Sequence, residues 1–195
     1  MVRVRTSMTA SRQATAGAEL ELLVLSPGRQ GCAAVDLASG ALVRAEHPPL
    51  ESPSAPFDVV RASINTDEEP DEFTHPEVLT LADAPVRVRR LRGRQAERYL
   101  RPLLHPRGEP LLGFSGPAIP FWDLPVGQPS ISLVDPESRP EVSRDAGGAW
   151  CRFRWRGVIH QLPLRGPVAS RGSRALVSLT SPVGSHCYKV VTAVL

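Results

Sequence analysis

From Trp150 to Val158 the chain reads WCRFRWRGV, and the residue types that could do chemistry are concentrated there. Alternation in a run this rich in aromatics predicts a half-buried β-strand. Side chains on a strand alternate between faces, so Cys151, Phe153 and Trp155 point one way while Trp150, Arg152, Arg154 and Arg156 point the other. The first set is apolar and belongs against a core. The second lines up three guanidinium groups beside an indole, with no carboxylate inside the strand to neutralise them. A guanidinium fork matches phosphate oxygens and an aromatic ring stacks on a base, so this row suits single-stranded nucleic acid. The bland reading is a solvated strand face, since the chain has 22 arginines and a single lysine, Lys189.

Signs of catalysis are sparse. The sequence has no phosphate loop, dinucleotide fingerprint, zincin helix or nucleophile elbow. His47, His75, His105, His160 and His186 form no close pair with one another, or with a carboxylate, at helical spacing. His186 and Cys187 are adjacent, but strand neighbours face opposite ways, which sets them against acting as base and nucleophile. No two of Cys32, Cys151 and Cys187 lie at zinc-ligand spacing. An odd, irregular set of cysteines gives no disulfide framework and suits a reducing cytosol. The expectation is a cytoplasmic protein that is not an enzyme and holds no cofactor or metal.

Charge is distributed in blocks. Glu46 to Glu77 holds nine acids against one base, Arg61, whereas Arg87 to Arg107 holds eight arginines against one acid, Glu97. Such blocks either pair within the fold or expose surfaces of opposite sign. The acidic knot Asp67–Glu72 contains Pro70 and reads as a solvated loop. The net charge of +3 is a mild bias, far from that of a histone-like binder.

The elements that must position these residues are short strands. Twenty prolines and fifteen glycines in 195 residues favour strands joined by turns over long helices. Strands are predicted at 21–25, 32–37, 41–45, 58–64, 86–89, 130–135, 150–157, 158–164, 175–180 and 187–194. Turns are predicted at Asp36–Gly40 and Gly147–Gly148. Ala96, Tyr99, Leu100 and Leu103 recur at helical spacing within 92–104, which puts Arg94, Arg98 and Arg101 on a polar face, and Pro102 shortens that helix. Residues 1–18 are basic, rich in Ser and Thr and without acids, and read as a disordered tail. No segment approaches the roughly 18 apolar residues of a membrane span.

The C-terminal half also resembles the prokaryotic dual OB-containing domain family. CRFRWRGVIHQLPLRGP is followed by Val177-Ser178-Leu179 and by the ending His186-Cys187-Tyr188-Lys189 with its apolar run. Looser matches are Leu23-Val24-Leu25-Ser26, Gly31-Cys32-Ala33-Ala34, Gly40 to Arg44, Phe57 to Val60 and Leu112 to Gly116, so the resemblance spans about residues 20 to 195. The chain departs from the family at Pro27-Gly28-Arg29, where a Lys is usual, and at Leu42, where a Trp is usual. The resemblance implies a mainly β protein with two small OB-like β-barrels, at 19–90 and 111–195, joined by a connecting basic helix within 91–110. It adds Lys189 and Arg44, at matching positions, to Arg152, Arg154, Arg156, Trp150 and Tyr188 as candidate nucleic-acid contacts. Two readings stay open: a non-catalytic module for single-stranded DNA or RNA, and a protein-interaction or small-ligand module in which the arginines are surface filler. Neither involves a membrane.

Overall fold

Four consecutive side chains of the first strand, Leu22 to Leu25, are completely buried. Leu22 and Val24 face one apolar cluster, while Leu23 and Leu25 face another. A strand buried on both faces must lie between two layers, and the architecture follows from that. The computed structural model describes residues 19–28, 31–46, 54–65 and 75–195; the tail 1–18 and the acidic knot Asp67–Glu72 fall outside the described residues. The chain is mainly β, with curled sheets that include a half-barrel and one short helix.

The strands are β1 Glu19–Gly28, β2 Gly31–Asp36, β3 Leu42–Glu46, β4 Asp58–Ser63, β5 Val78–Thr80 and β6 Val86–Arg90 in the first half. In the second half they are β7 Ala118–Pro120, β8 Ile131–Val134, β9 Glu141–Asp145, β10 Gly148–Trp155, β11 Val158–Pro163, β12 Ala175–Leu179 and β13 His186–Val194. Helix α1, Arg94–Leu100, lies between the halves and passes into a 3-10 turn at Arg101–Leu103, where Pro102 lacks the N–H that would continue it. The predicted turn at Asp36–Gly40 forms, with the Asp36 carboxylate accepting from Ala38 N–H and Ser39 Oγ–H and with Gly40 at φ 72°.

In the first half β1 pairs with β2 and β4, β2 with β3, and β3 with β5 in parallel. The ring returns to β4 through the antiparallel bridge of Ile64 to Leu81, flanked by Asn65 N–H to Thr80 O (2.9 Å) and Ala82 N–H to Ser63 O (2.9 Å). Inside it lie Leu20, Leu22, Val24, Ala34, Val43, Ala45, Val60 and Leu81. The second half repeats this order. One long path broken into β8 and β9 takes the first place, and β10, β11, β12 and β13 follow in sequence. β10 lies between β9 and β11, and β12 between β8 and β13. The end of β11 meets β13 in parallel through Leu164 and Val191, as β3 meets β5. Its interior holds Cys151, Phe153, Trp155, Leu162, Val177, Leu179, Cys187 and Val191.

A third apolar layer joins the halves. Leu23, Leu25, Val35 and Val59 of the first ring meet Ile131, Leu133, Leu176, Ala193 and Leu195 of the second, with Ala96 and Leu100 of α1 closing one side. Ala33 and Leu42 pack against the same layer, so the outward side of β2 and β3 is covered by the other half of the protein. Polar contacts seal its edges. Arg44 donates to Leu179 O (2.8 Å) and Ser130 O (3.5 Å) and lies 3.5 Å from the Glu77 carboxylate. Glu77 in turn accepts from the Ser130 hydroxyl and its N–H, and Ser26 Oγ–H donates to Thr192 O.

With one shared layer, the two halves are expected to unfold in a single cooperative transition. Arg44→Ala strips the buried Glu77 of a cation and two carbonyls of a donor, and should cost about 2–3 kcal/mol while the transition stays single. Urea unfolding followed by both far-UV dichroism and tryptophan fluorescence checks this, and two separated transitions in the parent protein would contradict it.

Candidate functional site

The alternation read from the sequence is realised from Cys151 to Trp155, where β10 ends short of Arg156. Cys151, Phe153 and Trp155 are buried in the second ring, and Arg152 and Arg154 are exposed on the outer side. Trp155 is fixed by donating its Nε1–H to Glu109 O (3.0 Å), and the Phe153 ring stacks on His160 of β11 with centroids 5.6 Å apart. The burial of Cys151, Phe153 and Trp155 fixes β10 against the core, and a strand so fixed holds the outward Arg152 and Arg154 two residues apart. Arg156 and Gly157 then form a two-residue turn into β11 with φ of 52° and 72°. Both values are positive, the geometry that matches the twist of a tight hairpin. The Glu137 carboxylate accepts the Gly157 N–H at 3.1 and 3.2 Å and steadies this turn.

None of Arg152, Arg154 and Arg156 makes an ion pair or a side-chain hydrogen bond among the described residues. The surrounding face is nevertheless mixed in charge. Strand β9, which lacks the apolar alternation that announces a strand, places Glu141 directly across from Arg152, and Gln161 of β11 lies on its other side. Trp150 is half-buried and donates its Nε1–H to Asp145 Oδ1 at 3.3 Å, so its indole is anchored to the β9–β10 turn.

The remaining sequence-predicted residues lie elsewhere. Arg44 is held in the seam between the halves. Lys189 shares a side of β13 with Cys187 and Val191 and points into the second ring, where it is 1% exposed. Its ammonium donates to Phe114 O (2.7 Å) and sits 3.8 Å from the centre of the Phe114 ring. That loop is shaped by three left-handed residues, Leu112, Gly113 and Gly116. No carboxylate faces the Lys189 ammonium among the described residues, and burial pushes its pKa down to about 8. The same burial, with the Lys189 charge nearby, holds His160 below its ordinary value. Tyr188 projects from the opposite side of β13 and is 42% exposed.

Beside Tyr188 lies an aromatic group that sequence reading did not single out. Strand β7 pairs with the start of β13, setting Ala118 against Tyr188 and Pro120 against His186. The chain then turns through Phe121 and Trp122, whose rings meet edge to face at 5.0 Å, and Phe121 N–H donates to Ser185 O (3.1 Å). Trp122 is 61% exposed and Val183, in the β12–β13 loop, 60%. The available signal was the Phe-Trp dipeptide between Pro120 and Pro125: large apolar residues in a proline-bounded stretch too short to reach a core.

Burial pushes the Cys32 thiol up to about 12 and the Cys151 thiol to about 11, which keeps both protonated and unreactive. No cluster of three metal-ligating side chains occurs among the described residues, and no helix there is long and apolar enough to cross a membrane. No family model, curated protein or solved structure matches the chain.

Lys189 supplies a pH-dependent stability with a definite sign. Its folded pKa of about 8 lies below the ordinary 10.5, so the unfolded chain binds more protons between these values. Stability should therefore rise as pH increases from about 8 to about 10.5. Lys189→Met removes a penalty of about 3 kcal/mol at neutral pH and leaves Phe114 O without a donor, at about 1 kcal/mol. The variant should be about 1–2 kcal/mol more stable at pH 7 and lose this part of the pH dependence. Chemical denaturation of both proteins across that range checks it; a destabilised variant with an unchanged profile would contradict it.

Proposed function

We propose that the protein is a non-catalytic module that binds single-stranded nucleic acid on the outer face of β10 and β11, with Arg152, Arg154 and Arg156 contacting phosphates. The observation that carries this reading is the three guanidiniums on one hairpin, all without an acidic partner among the described residues. A guanidinium needs no partner where water solvates it, but two on one strand face with a third at its hairpin turn match a chain of phosphates.

The strand order supports an OB-like reading of both halves. In each, the first strand pairs with the second and fourth, the second with the third, and the third with the fifth in parallel. OB folds bind oligonucleotides across strands two and three and the loops beside them. In the second ring those strands are β10 and β11, and the loop between its fourth and fifth strands carries Val183 next to Phe121 and Trp122. In the first ring they are β2 and β3, whose outer side is buried in the seam. One ring thus offers a free face and the other serves as its support. Tyr188, Phe121 and Trp122 present exposed rings on which bases can stack.

Binding of short fluorescent single-stranded DNA and RNA across a salt series tests the proposal. Affinity should fall steeply with salt, and Arg152→Ala, Arg154→Ala and Arg156→Ala combined should lower the log–log salt slope by about 2, at roughly 0.7 for each phosphate that is no longer neutralised. A folded protein that binds neither nucleic acid at low salt would overturn the proposal and favour a protein partner at the exposed Trp122 and Val183.

A further inference from the structure

The basic block at Arg87–Arg107 divides into two groups. Arg87 and Arg90 lie 3.3 and 3.8 Å from the buried Asp58 carboxylate, Arg89 makes two hydrogen bonds to Glu21 (2.9 and 2.7 Å), and Arg107 pairs with Asp135 (3.1 Å). The other four, Arg92, Arg94, Arg98 and Arg101, are exposed and have no ion pair among the described residues. Arg94, Arg98 and Arg101 recur at spacings of four and three, so they share one side of α1 and its 3-10 extension. With Glu97 and Pro102 they line a shallow open groove.

Glu97 would be expected to neutralise this groove, but its charge is already engaged. Both of its oxygens accept from Arg174 at the start of β12, at 2.8 and 2.6 Å, and these bonds hold its carboxyl below the ordinary carboxylate range. The pair ties α1 to the second half and leaves the three outer guanidiniums without an ion-pair partner among the described residues, although the Glu97 charge still acts on Arg101. The apolar residues of the helix, Ala96 and Leu100, are buried in the seam, with Tyr99 and Leu103 packed against it. Of the groove's lining residues Pro102 alone is apolar, too small a surface to insert into a membrane or to anchor a protein interface. What the groove can recognise is a run of negative charges.

We propose that Arg94, Arg98 and Arg101 form a second phosphate-binding surface, which contacts the backbone of a nucleic-acid strand bound by this protein. The partner class rests on the function proposed above, but the surface is separate from the β10–β11 face, and the two are tested independently. Three proteins are compared in the same salt series with a single-stranded oligonucleotide: the parent, a variant with Arg94→Ala, Arg98→Ala and Arg101→Ala, and one with Arg152→Ala, Arg154→Ala and Arg156→Ala. Thermal unfolding of each confirms that it is folded. The helix variant is expected to bind at least about ten-fold more weakly at low salt, with a slope lower by about 2. Replacing the same three residues by lysine should restore most of the slope.

If the helix variant binds like the parent while the strand variant loses binding, the inference falls and the β10–β11 reading stands. If the strand variant binds like the parent and the helix variant does not, the inference stands and that reading falls. Failure of the parent to bind overturns both. Inorganic polyphosphate should displace the oligonucleotide from the strand variant, and failure to displace it would contradict phosphate contacts in the groove.

Discussion

The constraint on which the rest depends is the double-sided burial of β1, β12 and β13. Each carries large apolar residues on both faces, so each must lie between a ring interior and a second apolar layer. Left uncovered, Leu23, Leu25, Val35 and Val59 on one half, and Ile131, Leu133 and Leu176 on the other, would be large exposed apolar patches. Packed together, they form one buried cluster. The orientation of Arg44, the docking of α1 and the closure of Glu77 on Ser130 all follow from that contact.

The seam also leaves the two halves with different outer faces. Outward residues of β2 and β3 are Ala33, Val35, Leu42 and Arg44; the first three are small or apolar, and Arg44 finds its partners inside the interface. Outward residues at the equivalent place in the second ring are Arg152, Arg154, Ile159 and Gln161, and burying the two guanidiniums and the amide without partners would be costly. The same strand order therefore gives one covered face and one open face, decided by the side chains that alternate outward. This is why a shared fold alone does not decide function and the residues on each face do.

Much of the fold was legible because most strands announce themselves by alternation or by an apolar run between turn residues. Strands β1 to β4, β6, β8 and β10 to β13 were anticipated to within a few residues, as was the helix that Pro102 cuts short. The unanticipated strands have physical reasons for silence. β5 and β7 are three residues each, and β7 is bounded by prolines. β9 reads EVSRD and is exposed throughout, so no buried face imposes a period. With that strand silent in the sequence, the position of Glu141 across from Arg152 was silent too. At the site, alternation alone placed Phe153 and Trp155 inward correctly. The position of Arg44 depends on partners more than 80 residues away in sequence, Ser130 and Leu179, which no local pattern encodes. Lys189 breaks hydrophobic patterning outright, a cation among inward residues, and only the Phe114 carbonyl and ring explain its tolerance.

The central claim is that the seam covers the first ring's face and leaves the β10–β11 face open to a nucleic-acid strand. Amide chemical-shift mapping with a short single-stranded oligonucleotide tests it most directly. The account predicts shifts along Arg152 to Gln161, with little change at Ala33 to Arg44. Shifts concentrated on β2 and β3, with β10 and β11 unmoved, would mean that the seam opens and that the covered face is the one that binds.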